Sequence, residues 1–229
     1  MCSKLNIVTP EELNAKVEQE DSQEETSSVD PSSAISKLET SSSSSDIKTP
    51  LINESQLIGD LGKPYALPFL LEGTRHRDLK TISSDTLARL MQGEFAKELG
   101  PGGRYNIIDC RYPYEYKGGH IRYAWNVYSL YHVRKAFPDL TEELKQERVA
   151  QRVIYVFYCE FSAMRAAKIM RFLRNHDLNE DYPELYLLHK GYNAFHGSYL
   201  DLCEPKGYVK MLSPGYEHDY LLGRLQAGM

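Results

Sequence analysis

The sequence predicts an α/β layered domain with a mainly parallel central sheet flanked by helices, behind a disordered N-terminal tail. Two short, bulky runs, residues 105–109 and 153–158, read as buried strands of a parallel sheet. Stretches of helical periodicity fall between the strand candidates, and alternation of the two builds a parallel sheet. The first 50 residues, by contrast, are rich in Ser, Thr and Glu and hold too few large apolar groups to offset the entropy of ordering.

Charge separates the two parts. Residues 1–60 hold twelve Asp or Glu, four Lys, no Arg and no aromatic residue, a net −8. The whole chain carries −5, so residues 61–229 carry +3. A mildly basic body suits a phosphorylated substrate, and no Lys/Arg cluster interleaved with aromatics supports nucleic-acid binding. We therefore divide the chain into an acidic Ser/Thr-rich tail over 1–50, a folded domain over 51–210 and a flexible C-terminal segment over 211–229. In the tail, Thr9-Pro10 and Thr49-Pro50 fit proline-directed kinases or plain turns. No signal-peptide core and no membrane-length apolar run is expected. Cys2, Cys110, Cys159 and Cys203 are scattered, without paired metal spacing, which favours a reducing compartment over a disulfide scaffold or zinc site.

In order, residues 57–68 carry too many breakers for regular structure and should run along the surface. Ser83 or Ser84 caps a helix reaching about Leu99, with Leu87, Leu90, Met91, Phe95 and Leu99 facing inward. Gly100-Pro101-Gly102-Gly103 stops it. The strand over 105–109 leads into a loop over 111–119, and Trp125-Asn126-Val127 forms a third strand. Helical turns are expected over 129–136 and 139–150. The central strand over 153–158 is followed by a helix from Arg165 to Arg174. A last strand over 185–188, a turn at Gly191 and a short helix over 193–200 complete the body.

Chemistry concentrates between the central strand and its helix. Cys159 opens a loop that Arg165 closes, with Glu160, Phe161, Ser162, Ala163 and Met164 between them. A loop entering a helix N-terminus points several N–H groups at one spot, where the helix dipole adds positive charge and a phosphate fits. A thiolate at its floor can attack phosphorus, and an arginine can grip two phosphate oxygens with its planar fork. The opposing possibility is an inert core cysteine. Cys110 also ends a strand, and if the two strands are neighbours it is either a resolving thiol for Cys159 or simply core. Asp109 and Arg111 read as a structural pair, and His120 as a loop brace.

Residues 108–121, Ile-Asp-Cys-Arg-Tyr-Pro-Tyr-Glu-Tyr-Lys-Gly-Gly-His-Ile, closely resemble the signature of the M-phase inducer phosphatases, the cell-division-cycle-25 family. Cys159-Glu160-Phe161-Ser162 followed by Arg165 resembles the catalytic loop of that family. Leu57-Ile58-Gly59-Asp60, Tyr182-Pro183-Glu184-Leu185-Tyr186 and Cys203-Glu204-Pro205 match as well, so the similarity covers roughly residues 55–210. The resemblance implies a rhodanese-like fold and a dual-specificity phosphatase acting on phosphotyrosine and phosphothreonine of a cyclin-dependent kinase–cyclin complex, promoting mitotic entry. It casts Cys159 as nucleophile, Arg165 as phosphate grip, the amides of 160–165 as cradle, Cys110 as redox partner and Arg174 as a kinase-docking residue. It makes the acidic tail over 1–50 a regulatory segment, calls for no cofactor, no metal and no membrane, and implies a monomer in nucleus and cytoplasm.

Departures fall at the centre. Tyr158 stands where the family usually has a histidine that helps set the cysteine, Met164 where it has a carboxylate, and Leu178 where it has a second docking base. A catalytically weak kinase-binding member is thus a second reading. A sulfurtransferase is a third, although its loop should be one residue shorter.

Overall fold

The computed structural model describes residues 65–139 and 151–228, with residues 141, 143, 145 and 146 between them. The tail over 1–50, residues 51–64 and most of the helical turns expected over 139–150 lie outside the described residues. Among the described residues no helix is long and apolar enough to cross a membrane.

The described chain opens with β1 (Thr81–Ile82) and α1 (Ser84–Met91), whose first turn is capped by Ser83 Oγ accepting from the Thr86 N–H at 3.0 Å. The single helix expected to run to Leu99 breaks at Gly93, which adopts φ +84°, and resumes as α2 (Ala96–Leu99). β2 (Arg104–Asp109) follows. The expected loop over 111–119 instead holds α3 (Pro113–Lys117), with proline in its first turn and the Glu115 carboxylate accepting from the Tyr112 N–H at 3.0 Å. Then come β3 (His120–Ile121), β4 (Ala124–Asn126), α4 (Leu130–Ala136) and β5 (Val153–Tyr158). α5 (Arg165–His176), β6 (Glu184–Leu188), α6 (Gly191–Ser198), β7 (Cys203–Glu204) and α7 (Glu217–Ala227) complete the order.

Five strands pair in parallel in the order β1-β6-β5-β2-β4, while β3 and β7 make a small antiparallel pair. Strand side chains alternate between two buried layers, as period two requires. Tyr155, Phe157 and Cys159 join α4 and α5 in one layer; Ile154, Val156 and Tyr158 join α1 and α6 in the other. Each such fully buried large side chain contributes roughly 1.5–3 kcal/mol.

Two expectations need correction. Residues 57–68 were expected on the surface, yet Ala66 and Leu67 are buried, their N–H groups donating to Glu184 Oε1 (3.0 Å) and Tyr186 Oη (3.3 Å). The segment over 211–229, expected to be flexible, contains α7. Tyr216 stacks on Tyr114, and α7 lies so close that a Cβ on Gly223 would meet the Tyr112 ring at 2.8 Å. Its few apolar anchors at Gly223 and Ala227 are small, so the pattern is invisible until the tyrosines of α3 are in place.

Candidate active site

The chain leaves β2 toward β4 on one side and leaves β5 toward β6 on the other, so the crevice between the carboxyl ends of β2 and β5 is a topological switch point. Asp109 and Tyr158 are register partners, and the Cys110 N–H donates to the Tyr158 carbonyl at 2.7 Å. Cys110 and Cys159 therefore leave neighbouring strands side by side, both buried and both unbridged. Burial pushes the Cys110 thiol well up, and the adjacent Cys159 and Asp109 push it further.

From Cys159 the backbone turns through a tight loop into α5. Ser162 adopts φ +51°, in the left-handed region, and its buried Oγ has no partner among the described residues. The N-terminus of α6 lies directly beneath. Tyr192 and Asn193 N–H groups donate to the Cys159 and Glu160 carbonyls at 2.9 and 3.0 Å. Gly191 is required there, because a Cβ would stand 2.2 Å from the Cys159 carbonyl oxygen and the residue sits at φ +56°. No side chain caps α5, and the first N–H groups of a helix without such a cap are donors of the kind that can take an anion.

Arg165, the first residue of α5, is buried and turned inward. Its Nη2 donates to Glu115 Oε1 at 3.0 Å, its Nη1 donates to Oε2, and its guanidinium lies 4.9 Å from the Tyr112 ring centroid. Glu115 is wholly buried, and burial raises its carboxyl above the ordinary value against the pull of Arg165. Nothing in the linear sequence pairs positions 115 and 165. The available hint was local: Tyr-Pro-Tyr-Glu has the proline-first, glutamate-third arrangement of a capped helix start.

The side chain of Tyr158 does not face Cys159. Strand alternation sends it to the other layer, where its hydroxyl donates to Asp109 Oδ2 at 2.7 Å and accepts from the Ile121 N–H at 3.1 Å. Arg111 grips the same Asp109 carboxylate, donates to the Gly119 carbonyl at 2.7 Å and lies over the Tyr192 ring at 3.9 Å. Asp109 and Arg111 are thus the structural pair expected. His120 braces its loop through the Tyr116 carbonyl at 3.0 Å and a ring stack at 3.8 Å.

Around the rim, Phe161 and Met164 are exposed and Ala163 is half-buried. The Glu160 carboxylate points away from the loop, accepting from Tyr208 Oη at 3.1 Å and the Met211 N–H at 3.3 Å. The Ala163 carbonyl meets His76 Nε2 at 2.9 Å, a contact no motif announced. Arg174 is not brought to this site. Its fork closes the turn after α5, donating to Asp177 at 3.1 Å and to the Tyr182 and Pro183 carbonyls at 3.0 and 3.1 Å. Leu178 beside it is 86% exposed.

A rhodanese-like domain model matches residues 91–198. The chain is 50% identical over 198 residues to the Cdc25-like protein phosphatase twine of Drosophila melanogaster, covering 83% of this chain and 45% of that protein. It is 49% identical to the M-phase inducer phosphatase of the same fly, covering 73% and 37%, and 40% identical to human M-phase inducer phosphatase 3, covering 76% and 37%. The chain spans less than half the length of these relatives. This chain belongs to the M-phase inducer phosphatase family, and its folded part carries the rhodanese-like domain of that family.

Proposed function

We propose that this chain is a cysteine-dependent dual-specificity phosphatase that removes inhibitory phosphates from phosphotyrosine and phosphothreonine of a cyclin-dependent kinase–cyclin complex. The observation that carries this reading is the buried Arg165 fork turned inward at the head of α5, behind a loop that begins at Cys159. The Cys159 thiolate attacks phosphorus, the bond from phosphorus to the tyrosine or threonine oxygen breaks, and that oxygen takes its proton from solvent water as it leaves. Water then attacks the phosphocysteine, releasing inorganic phosphate and the thiolate. The N–H groups of residues 160–165 and the Arg165 guanidinium carry the oxyanion charge through both steps. Both oxygens of Glu160 are occupied elsewhere and Met164 holds no acidic proton, so the loop supplies no free carboxylic acid to the leaving group. Leaving oxygens of low basicity should therefore be favoured.

The same proposal includes reversible Cys110–Cys159 disulfide formation under oxidation, supported by the adjacent strand ends. It includes control by the acidic tail over 1–50 and a nuclear and cytoplasmic location. Docking through Arg174 requires its fork to leave Asp177 and the Tyr182 carbonyl for the partner.

The test is hydrolysis of a small aryl phosphate by the wild type, Cys159→Ser and Tyr158→His. Turnover abolished by Cys159→Ser is expected. A silent wild type rescued by Tyr158→His would instead support a weak, kinase-binding member. The five residues between Cys159 and Arg165 speak against a sulfurtransferase.

A further inference from the structure

We propose that His76 is a positioning residue of the phosphate loop: by holding the Ala163 carbonyl outward it turns the Met164 N–H toward the bound anion. The inference takes its ligand from the phosphatase reading above and its cause from geometry.

In a trans peptide the carbonyl of one residue and the N–H of the next point in opposite directions. A loop that offers N–H groups to an anion must therefore anchor its carbonyls on the outside. The carbonyls of Cys159 and Glu160 are held by Tyr192 and Asn193 N–H groups, which sets the Glu160 and Phe161 N–H groups inward. The Met164 carbonyl accepts from the Lys168 N–H at 2.9 Å within α5, which sets the Arg165 N–H. Those three anchors are backbone. The Ala163 carbonyl is held by a side chain, His76 Nε2 at 2.9 Å, from a segment 87 residues earlier.

The second ring nitrogen shows how the donor is kept. His76 Nδ1 lies 3.3 Å from Arg171 Nη2, and a guanidinium only donates. Nδ1 must then accept, which leaves the ring proton on Nε2, facing a carbonyl that only accepts. Arg171 is itself fixed by Asp78, with Nε to Oδ2 and Nη2 to Oδ1 both at 2.7 Å. That ion pair is about two-fifths exposed on each side, so it adds little to stability. Its consequence is directional: Asp78 orients Arg171, Arg171 selects the tautomer, and the tautomer aims the peptide between Ala163 and Met164. This peptide lies on the rim, where Met164 is 73% exposed and no packed core holds it in place.

The experiment compares full-length wild type, His76→Ala, His76→Gln and Arg171→Met by inhibition with inorganic phosphate, by kcat and KM on an aryl phosphate, and by melting temperature. Complete loss of one oxyanion donor lowers rate by roughly 100-fold or more, and here the donor is only loosened, so His76→Ala should weaken phosphate inhibition and kcat/KM by about 10-fold. His76→Gln, whose amide N–H can reach the same carbonyl, should recover most of that loss. Arg171→Met, which frees the tautomer, should fall between. Phosphate inhibition in His76→Ala equal to wild type overturns the proposal, as does a His76→Gln variant that melts like wild type yet loses as much as His76→Ala. A wild type without Cys159-dependent hydrolysis sinks the phosphatase reading instead. Protection of Cys159 from iodoacetamide by inorganic phosphate then decides this one, with equal protection in wild type and His76→Ala overturning it.

Discussion

Two buried arginine–carboxylate pairs have members just past the carboxyl ends of β2 and β5, and they differ in one respect that separates structure from chemistry. Asp109–Arg111 is fully enclosed on both sides, and its carboxylate is shared with the Tyr158 hydroxyl. Glu115–Arg165 has an equally buried carboxylate, but its arginine keeps 11% of its side chain exposed and faces a loop with uncapped N–H groups. The first pair has nowhere else to go. In the proposed function the second takes a phosphate as an added acceptor at its exposed edge, while Glu115 keeps the guanidinium and the Tyr112 N–H, so neither charge is stranded. A buried ion pair becomes a ligand grip when a further partner can reach one of its members without breaking it, because breaking it costs several kcal/mol.

The largest expected effect breaks the enclosed pair. Asp109→Ala should destabilise the fold by about 3–5 kcal/mol, since it strands the Arg111 charge in the interior. Urea unfolding checks it, and a cost under about 1 kcal/mol would mean that Arg111 finds another partner. Arg165→Lys tests the second pair from the other direction. Melting should fall modestly, because an ammonium keeps only part of the grip on buried Glu115, while kcat/KM on an aryl phosphate should fall by roughly 100-fold, because it cannot hold two phosphate oxygens bidentately either.

Glu115→Gln sharpens the contrast through pH. The carboxyl of Glu115 is raised above its ordinary value of 4.5 by burial, so the folded state holds that proton more tightly than the unfolded state. Its contribution to stability is full below pH 4.5 and is lost as pH rises through the raised value. The decline in unfolding free energy over that window should flatten in Glu115→Gln. An unchanged slope would show that Arg165 fully compensates the burial. The smallest effect belongs to Tyr158→Phe, which should cost about 1–2 kcal/mol for the lost hydroxyl network and leave aryl phosphate turnover within about 2-fold. A much larger loss of turnover would show that residue 158 acts on the sulfur through the backbone.

The central strand and its helix were legible because their signals are local: six consecutive bulky residues, then a helical stripe from Arg165. The loop between them was legible as Cys159 and Arg165 with five residues intervening. Less visible were the elements that exist only by pairing. β1 is two residues long and is defined by its register with Leu187 and Leu188, and β3 exists only against β7. α3 hid inside a tyrosine-rich run that looks like loop until the Glu115 cap is recognised. The direction of Tyr158 follows from strand alternation, since its neighbour Cys159 packs in the opposite layer.

By itself the order of residues determined the strand, the loop and the Cys159–Arg165 spacing, because each rests on neighbours within about a dozen positions. Only the tertiary structure decided the partners: Glu115 for Arg165, Asp109 for Tyr158 and His76 for Ala163, separated by 50, 49 and 87 residues. Hydrogen bonds and ion pairs act through space at about 3 Å, and separation along the chain carries no record of which donor will meet which acceptor.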